Sequence, residues 1–188
     1  MTTTTPEAPP TSIASSLRTL YFVRFGFAIA WAIVIALTAT AITPLSATLV
    51  VVYPAFDVAA AIVDRRASRG TRSSGLLYLN MALSILAAIG LAFAAASGRP
   101  AVLLVWGLWA IAAGAVQLIV AISRRALRGQ WPMILSGGIS VLAGTAFALQ
   151  SDGSSASLLG LAGYATLGGV FFLVSAIRLR RSARVSDR

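Results

Sequence analysis

The chain contains no cysteine, no histidine and no lysine, and only five acidic residues. Without cysteine there are no thiol nucleophiles and no disulfides. Without histidine as well, Cys/His zinc sites, His-ligated haem and Ser-His catalysis are excluded. Charge is scarce overall: 11% of the 188 residues are charged, against about 25% in soluble domains. What fills the space is apolar. Hydrophobic residues make up 58% of the chain, and the mean hydropathy is +0.87. That composition belongs to an integral membrane protein.

A hydrocarbon core about 30 Å thick needs roughly 20 apolar residues per helix. The sequence predicts six such spans, at Leu20–Ile42, Leu45–Val63, Leu76–Ala96, Ala101–Ile122, Trp131–Leu149 and Leu158–Ile177. Continuous apolar runs point to helices, because a membrane β-barrel alternates apolar and polar residues. The expected fold is therefore an all-α integral membrane protein of six transmembrane helices over residues 17–181. Residues 1–16, rich in Thr and Pro, read as a disordered N-terminal tail rather than a signal peptide, since no basic stretch precedes the first apolar run. Residues 182–188 read as a basic C-terminal tail.

All 15 basic residues are arginine, and their distribution sets an orientation. Arg18 and Arg24 open the first span. Arg65, Arg66, Arg69 and Arg72 lie between spans two and three, and Arg124, Arg125 and Arg128 between four and five. Arg178, Arg180, Arg181, Arg184 and Arg188 follow the sixth, and the opposite loops carry only Arg99. The positive-inside rule then places both termini in the cytoplasm. The net charge of +10 is read as topology determinants beside anionic inner-leaflet headgroups, with the lipid bilayer as the partner and no nucleic acid. A second copy of the chain, or another membrane protein, stays open as a further partner.

Short outer loops at Thr43-Pro44, Ser97-Gly98-Arg99-Pro100 and Gln150–Ser155 divide the chain into three helical hairpins, about 17–66, 72–125 and 128–181. A shift of 56 residues aligns Arg72 with Arg128, Ser84-Ile85-Leu86-Ala87 with Ser140-Val141-Leu142-Ala143, Gly107 with Gly163, and Arg124-Arg125 with Arg180-Arg181. The odd-numbered spans share small residues four apart: Ala28, Ala32 and Ala36 in the first, Ser84, Ala88 and Ala92 in the third, Ser140, Gly144 and Ala148 in the fifth. Small residues let helices approach closely in lipid, so Ala28, Ala32, Ala88, Ala92, Ser140 and Gly144 are expected to form a packing ridge.

The segment Arg128-Gly129-Gln130-Trp131-Pro132 followed by Met133–Gly144, with its basic residue, Trp and spaced glycines, closes on a second helix and an Arg pair. This pattern resembles the HdeD-like family of small bacterial inner-membrane proteins, built of tandem hairpin repeats. The resemblance extends over about residues 18–181 and implies six helices, a plasma-membrane location and a role in acid or envelope stress tolerance. It implies no catalytic residues. Span one departs from the pattern, with no preceding Trp and with Arg24 inside it; span two carries Asp57 and no glycine.

Ionisable residues within a span are functional candidates. Arg24 lies about 9 Å up the first helix from Arg18, and Asp57 about 12 Å above Arg65 on the second, at 1.5 Å per residue. The two can therefore meet, although Arg24 could instead snorkel to the headgroups. Asn80, Gln117 and Ser136 fall at similar depths, so Arg24, Asp57, Asn80, Gln117 and Ser136 form an expected inner-leaflet polar layer. That layer serves either as an ion pair fixing helix register, or as a cytoplasm-facing cavity for protons, ions or a polar solute, with Asp57 as the titrating group. Asp64, beside Arg65 and Arg66, reads as a solvated interfacial charge, Tyr21 and Trp131 as aromatic anchors at the boundary, and Trp31 and Trp109 as packing residues. No cofactor, metal or catalytic set is indicated. The expected function is a non-enzymatic membrane protein of HdeD type, with a small transporter or channel for protons or a polar solute as the alternative.

Overall fold

The computed structural model describes residues 10–67, 74–126, 130–152 and 156–186, with side chains over residues 15–180 of these apart from Ser74. Arg69, Arg72 and Arg128 lie outside the described residues, as do residues 1–9 of the expected N-terminal tail and 187–188 of the C-terminal one. Six helices follow in order: α1 Pro10–Thr38, α2 Pro44–Ala67, α3 Ser74–Ser97, α4 Arg99–Ser123, α5 Trp131–Gln150 and α6 Leu159–Ser186. Helix α1 thus begins inside the stretch expected to be a tail, and α6 runs into the basic C-terminal segment. All six helices are long and apolar enough to cross a membrane, and no strand occurs among the described residues. The chain is a multi-pass membrane protein in build.

Local chemistry explains the helix starts. At α2, Ser46 N–H donates to Thr43 Oγ1 at 3.2 Å while Thr43 N–H donates to Ser46 Oγ at 2.8 Å, a reciprocal cap followed by Pro44 at the first helical position. Between α3 and α4 the chain turns through Gly98 at φ 100°, a conformation that a Cβ would strain, and α4 opens on Arg99-Pro100. The outer surface is apolar: Leu37, Leu86, Phe93, Leu142 and Leu149 are all more than 60% exposed. In water such a surface would be unfavourable; in lipid it is matched.

The helices close into a ring in which each packs on its sequence neighbours and α6 packs on α1. The closest pairs are α4 with α5, α1 with α6 and α2 with α3; α1 with α2 and α5 with α6 pack least. The tightly packed units are therefore pairs joined, or in the case of α6 and α1 brought together, at the arginine-rich end, while the hairpins with short outer loops are looser. A 56-residue shift carries α2·α3 onto α4·α5, so the ring has an approximate three-fold repeat.

The α4·α5 seam shows why this pairing is close. A Cβ added to Gly107 would lie 2.6 Å from the Gly144 carbonyl oxygen, and one added to Gly144 would lie 2.6 Å from the Gly107 oxygen. Gly114 stands in the same way against Ser140 and Gly137. Backbones this close gain dispersion and Cα–H···O contacts that a side chain would abolish. At the α1·α6 seam a Cβ on Gly169 would come 3.2 Å from the Ala28 Cβ.

The expected ridge residues are distributed accordingly. Ala28, Ala32, Ser140 and Gly144 are buried, and Ala88 is half-buried. Ala92 is a correction: it is exposed, and α3 turns Ser84, Ala87, Leu91 and Ala94 inward instead. The reason is geometric. At 3.6 residues per turn, each step of four residues drifts about 40° around the helix, so a buried face must alternate steps of three and four.

The glycine seam makes a stability prediction. Gly107→Ala and Gly144→Leu are each expected to lower the melting temperature of the detergent-solubilised protein, at a cost of about 1–3 kcal/mol from overpacking. Gly138→Ala, where a Cβ meets nothing within 4 Å, should leave it unchanged or slightly raised. Equal melting of all three variants would show that the seam is not tightly packed.

Candidate functional site: a polar chamber inside the ring

The Asp57 carboxylate on α2 is the centre of the buried polar chemistry. Its Oδ1 accepts from Arg24 Nη2 on α1. Its Oδ2 accepts from Asn80 Nδ2 at 2.6 Å and from Ser84 Oγ at 2.8 Å, both on α3. Trp109 Nε1 on α4 donates to Ser84 Oγ at 3.0 Å, extending the network to a fourth helix. Charge-assisted bonds of this kind are the strong ones, and lipid could not replace them. Arg24 does not snorkel away. Its guanidinium turns inward, 4.4 Å over the Phe172 ring of α6.

A cavity of about 110 Å³ opens beside this centre, with lining residues from all six helices. Arg24, Asp57, Asn80, Gln117 and Ser136, the whole of the expected polar layer, line it together. Ser140 of the packing ridge lines it too, paired with Tyr164 across an O···O distance of 2.6 Å. Gln117 Nε2 reaches the Met133 carbonyl at 3.3 Å. The structure thus brings together, in one space, side chains that are spread over residues 24 to 136 of the sequence.

On the side away from the arginine-rich end the chamber meets an aromatic layer. Trp31 stacks on Trp106 with ring centres 5.3 Å apart, and Tyr53 meets Trp31 at 4.7 Å and Trp109 at 6.0 Å. Trp31 Nε1 donates to the Leu49 carbonyl at 2.7 Å. Trp31 and Trp109 are therefore hydrogen-bonded within the bundle as well as packed. Near the arginine-rich end lies a second apolar cluster of Leu17, Tyr21, Ala121, Met133 and Phe172, the last four of which line the chamber.

Two expectations are corrected at that end. Asp64 is buried at 9% exposure, not a solvated charge beside Arg65 and Arg66. Arg124, at the C-terminal cap of α4, holds it, with Nη1 2.9 Å from Oδ1 and 3.0 Å from Oδ2, and is itself 7% exposed. Tyr21 is buried against the chamber and is not a boundary anchor, whereas Trp131 is 67% exposed. The missed signal was spacing: Asp57 and Asp64 are seven residues apart, two helical turns, and so share one face of α2. Gln130, which caps α5 and lines the chamber, was not singled out either. Among the described residues no group of three His, Cys, Asp or Glu is arranged to hold a metal ion.

One comparison with known proteins is informative. A family model described as a short repeat of unknown function (DUF308) matches residues 81–149, from α3 through the α4·α5 seam. HdeD-like membrane proteins belong to that repeat family, and the match does not single out HdeD itself. No curated protein and no solved structure matches the chain.

The second ion pair makes a coupling prediction. Arg124→Met removes the arginine bonded to the buried Asp64 carboxylate and is expected to cost about 3 kcal/mol, the low end for breaking a buried pair. Arg124→Met/Asp64→Asn should recover most of that loss, because the charge is removed with its partner. Thermal melts of the two variants check this, and a double variant less stable than the single would disprove the coupling.

Proposed function

We propose that the chain is a small non-enzymatic membrane transport protein, which exchanges a small polar solute or proton between its chamber and the cytoplasm, in the service of acid or envelope stress tolerance. One observation carries this: five polar side chains, expected from sequence to share a depth, line one cavity around an ion pair. A purely structural ion pair needs no open space beside it. A sealed bundle with an exposed groove of small residues would have favoured a partner-binding role instead; of the expected ridge, Ala28, Ser140 and Gly144 are taken up in the α1·α6 and α4·α5 seams.

The non-enzymatic part rests on chemistry. The two buried acids are each engaged by an arginine, and among the described residues the hydroxyl bonded to Asp57, Ser84, is also held by Trp109 Nε1, with no histidine in the chain to act as its base. The cytoplasmic placement rests on the positive-inside rule, and the stress role rests on the resemblance to HdeD-like proteins together with the matched repeat.

Purified protein in sealed vesicles tests the transport reading, with proton movement across a pH gradient and solute efflux as readouts. Wild type is expected to exceed protein-free vesicles several-fold for at least one of them. Asp57→Asn, checked by melting to be folded, should bring that rate back toward the protein-free level. Arg24→Gln/Asp57→Asn provides a second variant in which no lone charge is left. Wild-type rates equal to empty vesicles for protons and for every small solute would overturn transport and leave a core that only holds helices together.

A further inference from the structure

The chamber's full charges are matched inside it. Arg24 answers Asp57, and Arg124 answers Asp64. The Asp57 oxygens are already engaged by three donors, and the Arg24 guanidinium is divided between Asp57 and the Phe172 ring. An entering cation would have to break these bonds to find an anion, and an entering anion would have to break them to find a cation. Either ion would lose its hydration with nothing set aside to replace it.

Neutral hydrogen-bonding capacity is what the chamber offers. Gln130 is 3% exposed and lines the cavity, yet its amide Nε2 finds no hydrogen-bond partner. The Tyr21 hydroxyl takes up at most one of the two amide hydrogens, so at least one stays open. Its backbone is fixed, since the Gln130 carbonyl accepts from Met133 N–H at 2.9 Å and Ile134 N–H at 3.0 Å at the start of α5. A buried donor left open is costly, so it is poised to meet an acceptor brought by a solute. Asn80, Gln117 and Ser136 supply further neutral groups around the same space, and Phe171 and Phe172 give it apolar wall. The size is restrictive: a dry cavity of ~150 Å³ holds a benzene molecule, so about 110 Å³ suits a solute of about four to six heavy atoms.

We propose that the chamber takes a small uncharged solute carrying both a hydrogen-bond acceptor and donors, such as urea or a short polyol, with Gln130 donating to its acceptor oxygen. This rests on the transport reading above and narrows its substrate class. Urea, guanidinium and nitrate make a direct probe set, because they are planar, of similar size, and neutral, positive and negative respectively. Entry into vesicles holding the full chain is followed by light scattering after a solute step, with potassium and valinomycin present to collapse any membrane potential.

Urea is expected to enter well above the protein-free rate, while guanidinium and nitrate stay at it. Gln130→Leu should lower urea entry about three- to tenfold, the worth of one net hydrogen bond, with its melting temperature unchanged. Gln130→Asn, which retracts the amide by one carbon and carries the test if the leucine variant does not fold, should fall between. Guanidinium or nitrate entering as fast as urea would overturn the neutral-solute assignment while leaving transport standing. A folded Gln130→Leu or Gln130→Asn protein with wild-type urea entry would overturn the role of Gln130. No acceleration of any of the three, with proton flux also absent, would remove both this inference and the transport reading; with proton flux retained, it would remove this inference alone.

Discussion

A carboxylate in the middle of an apolar bundle has to be satisfied by the protein, because the bilayer core supplies no donors. Asp57 imposes that condition on most of the ring. Its oxygens need Arg24 from α1 and Asn80 and Ser84 from α3, and Ser84 in turn holds Trp109 of α4. A slip of any of these helices by one residue would swing its donor by about 100° and leave the charge exposed to hydrocarbon. The register of four helices is thus tied to one side chain. The remaining two are placed by steric fit, α5 through the Gly107–Gly144 approach and α6 through Gly169 against Ala28.

The three-fold repeat makes this more informative. At the 56-residue spacing, Asp57 corresponds to Ala113 and Gly169, and Arg24 to Asn80 and Ser136. One unit carries the charge and the others carry small or neutral groups in its place. At Gly169 the missing side chain is used for close packing. At Ala113, which lines the chamber, it leaves room. A symmetrical ring with three acids would have to neutralise all of them in a space this small. Reducing the set to one acid lets the equivalent positions on α3 and α5, Asn80 and Ser136, become neutral lining groups, and Asn80 additionally serves the acid itself.

The spans were legible from sequence because the signal is physical and local: a run of about 20 apolar residues has few other uses. The polar layer was legible for a similar reason, since distance from the arginine boundary converts directly to depth. Depth alone fails for residues near the boundary. Asp64 lies next to Arg65 and Arg66 in the chain, and only the face it shares with Asp57 reveals that it points inward to Arg124. Tyr21 at an apparent boundary was likewise misjudged, because α1 starts at Pro10 and carries Tyr21 well into the bundle. Ala92 was placed on the ridge by counting in fours, which ignores the drift of the helix. The partner choice across α4·α5 was not visible either. Gly107, Gly114, Gly137 and Gly144 are each unremarkable in a membrane helix, and their reciprocal contact exists only in three dimensions.

The position of the chamber also constrains how anything could pass through it. On its far side stand the Trp31, Tyr53, Trp106 and Trp109 rings, in mutual contact, with the three tryptophans buried. The pairs α4·α5, α6·α1 and α2·α3 pack most extensively, the first through close backbone approach at its glycines, the second through Gly169 against Ala28, and the third through the Asn80 and Ser84 bonds to Asp57. Separation then costs least at α1 with α2 and at α5 with α6. The first of these seams is where the aromatic layer is anchored, through Trp31 on α1 and Tyr53 and the Leu49 carbonyl on α2. It also lies next to Pro54, which contributes no backbone N–H to the α2 ladder. One of the two loosest seams, the aromatic layer and the interrupted hydrogen-bond ladder therefore coincide. A movement of α2·α3 away from α6·α1 would have to exchange the Arg24–Asp57 bond for a solute or water contact, so the same ion pair that sets the register also resists the opening.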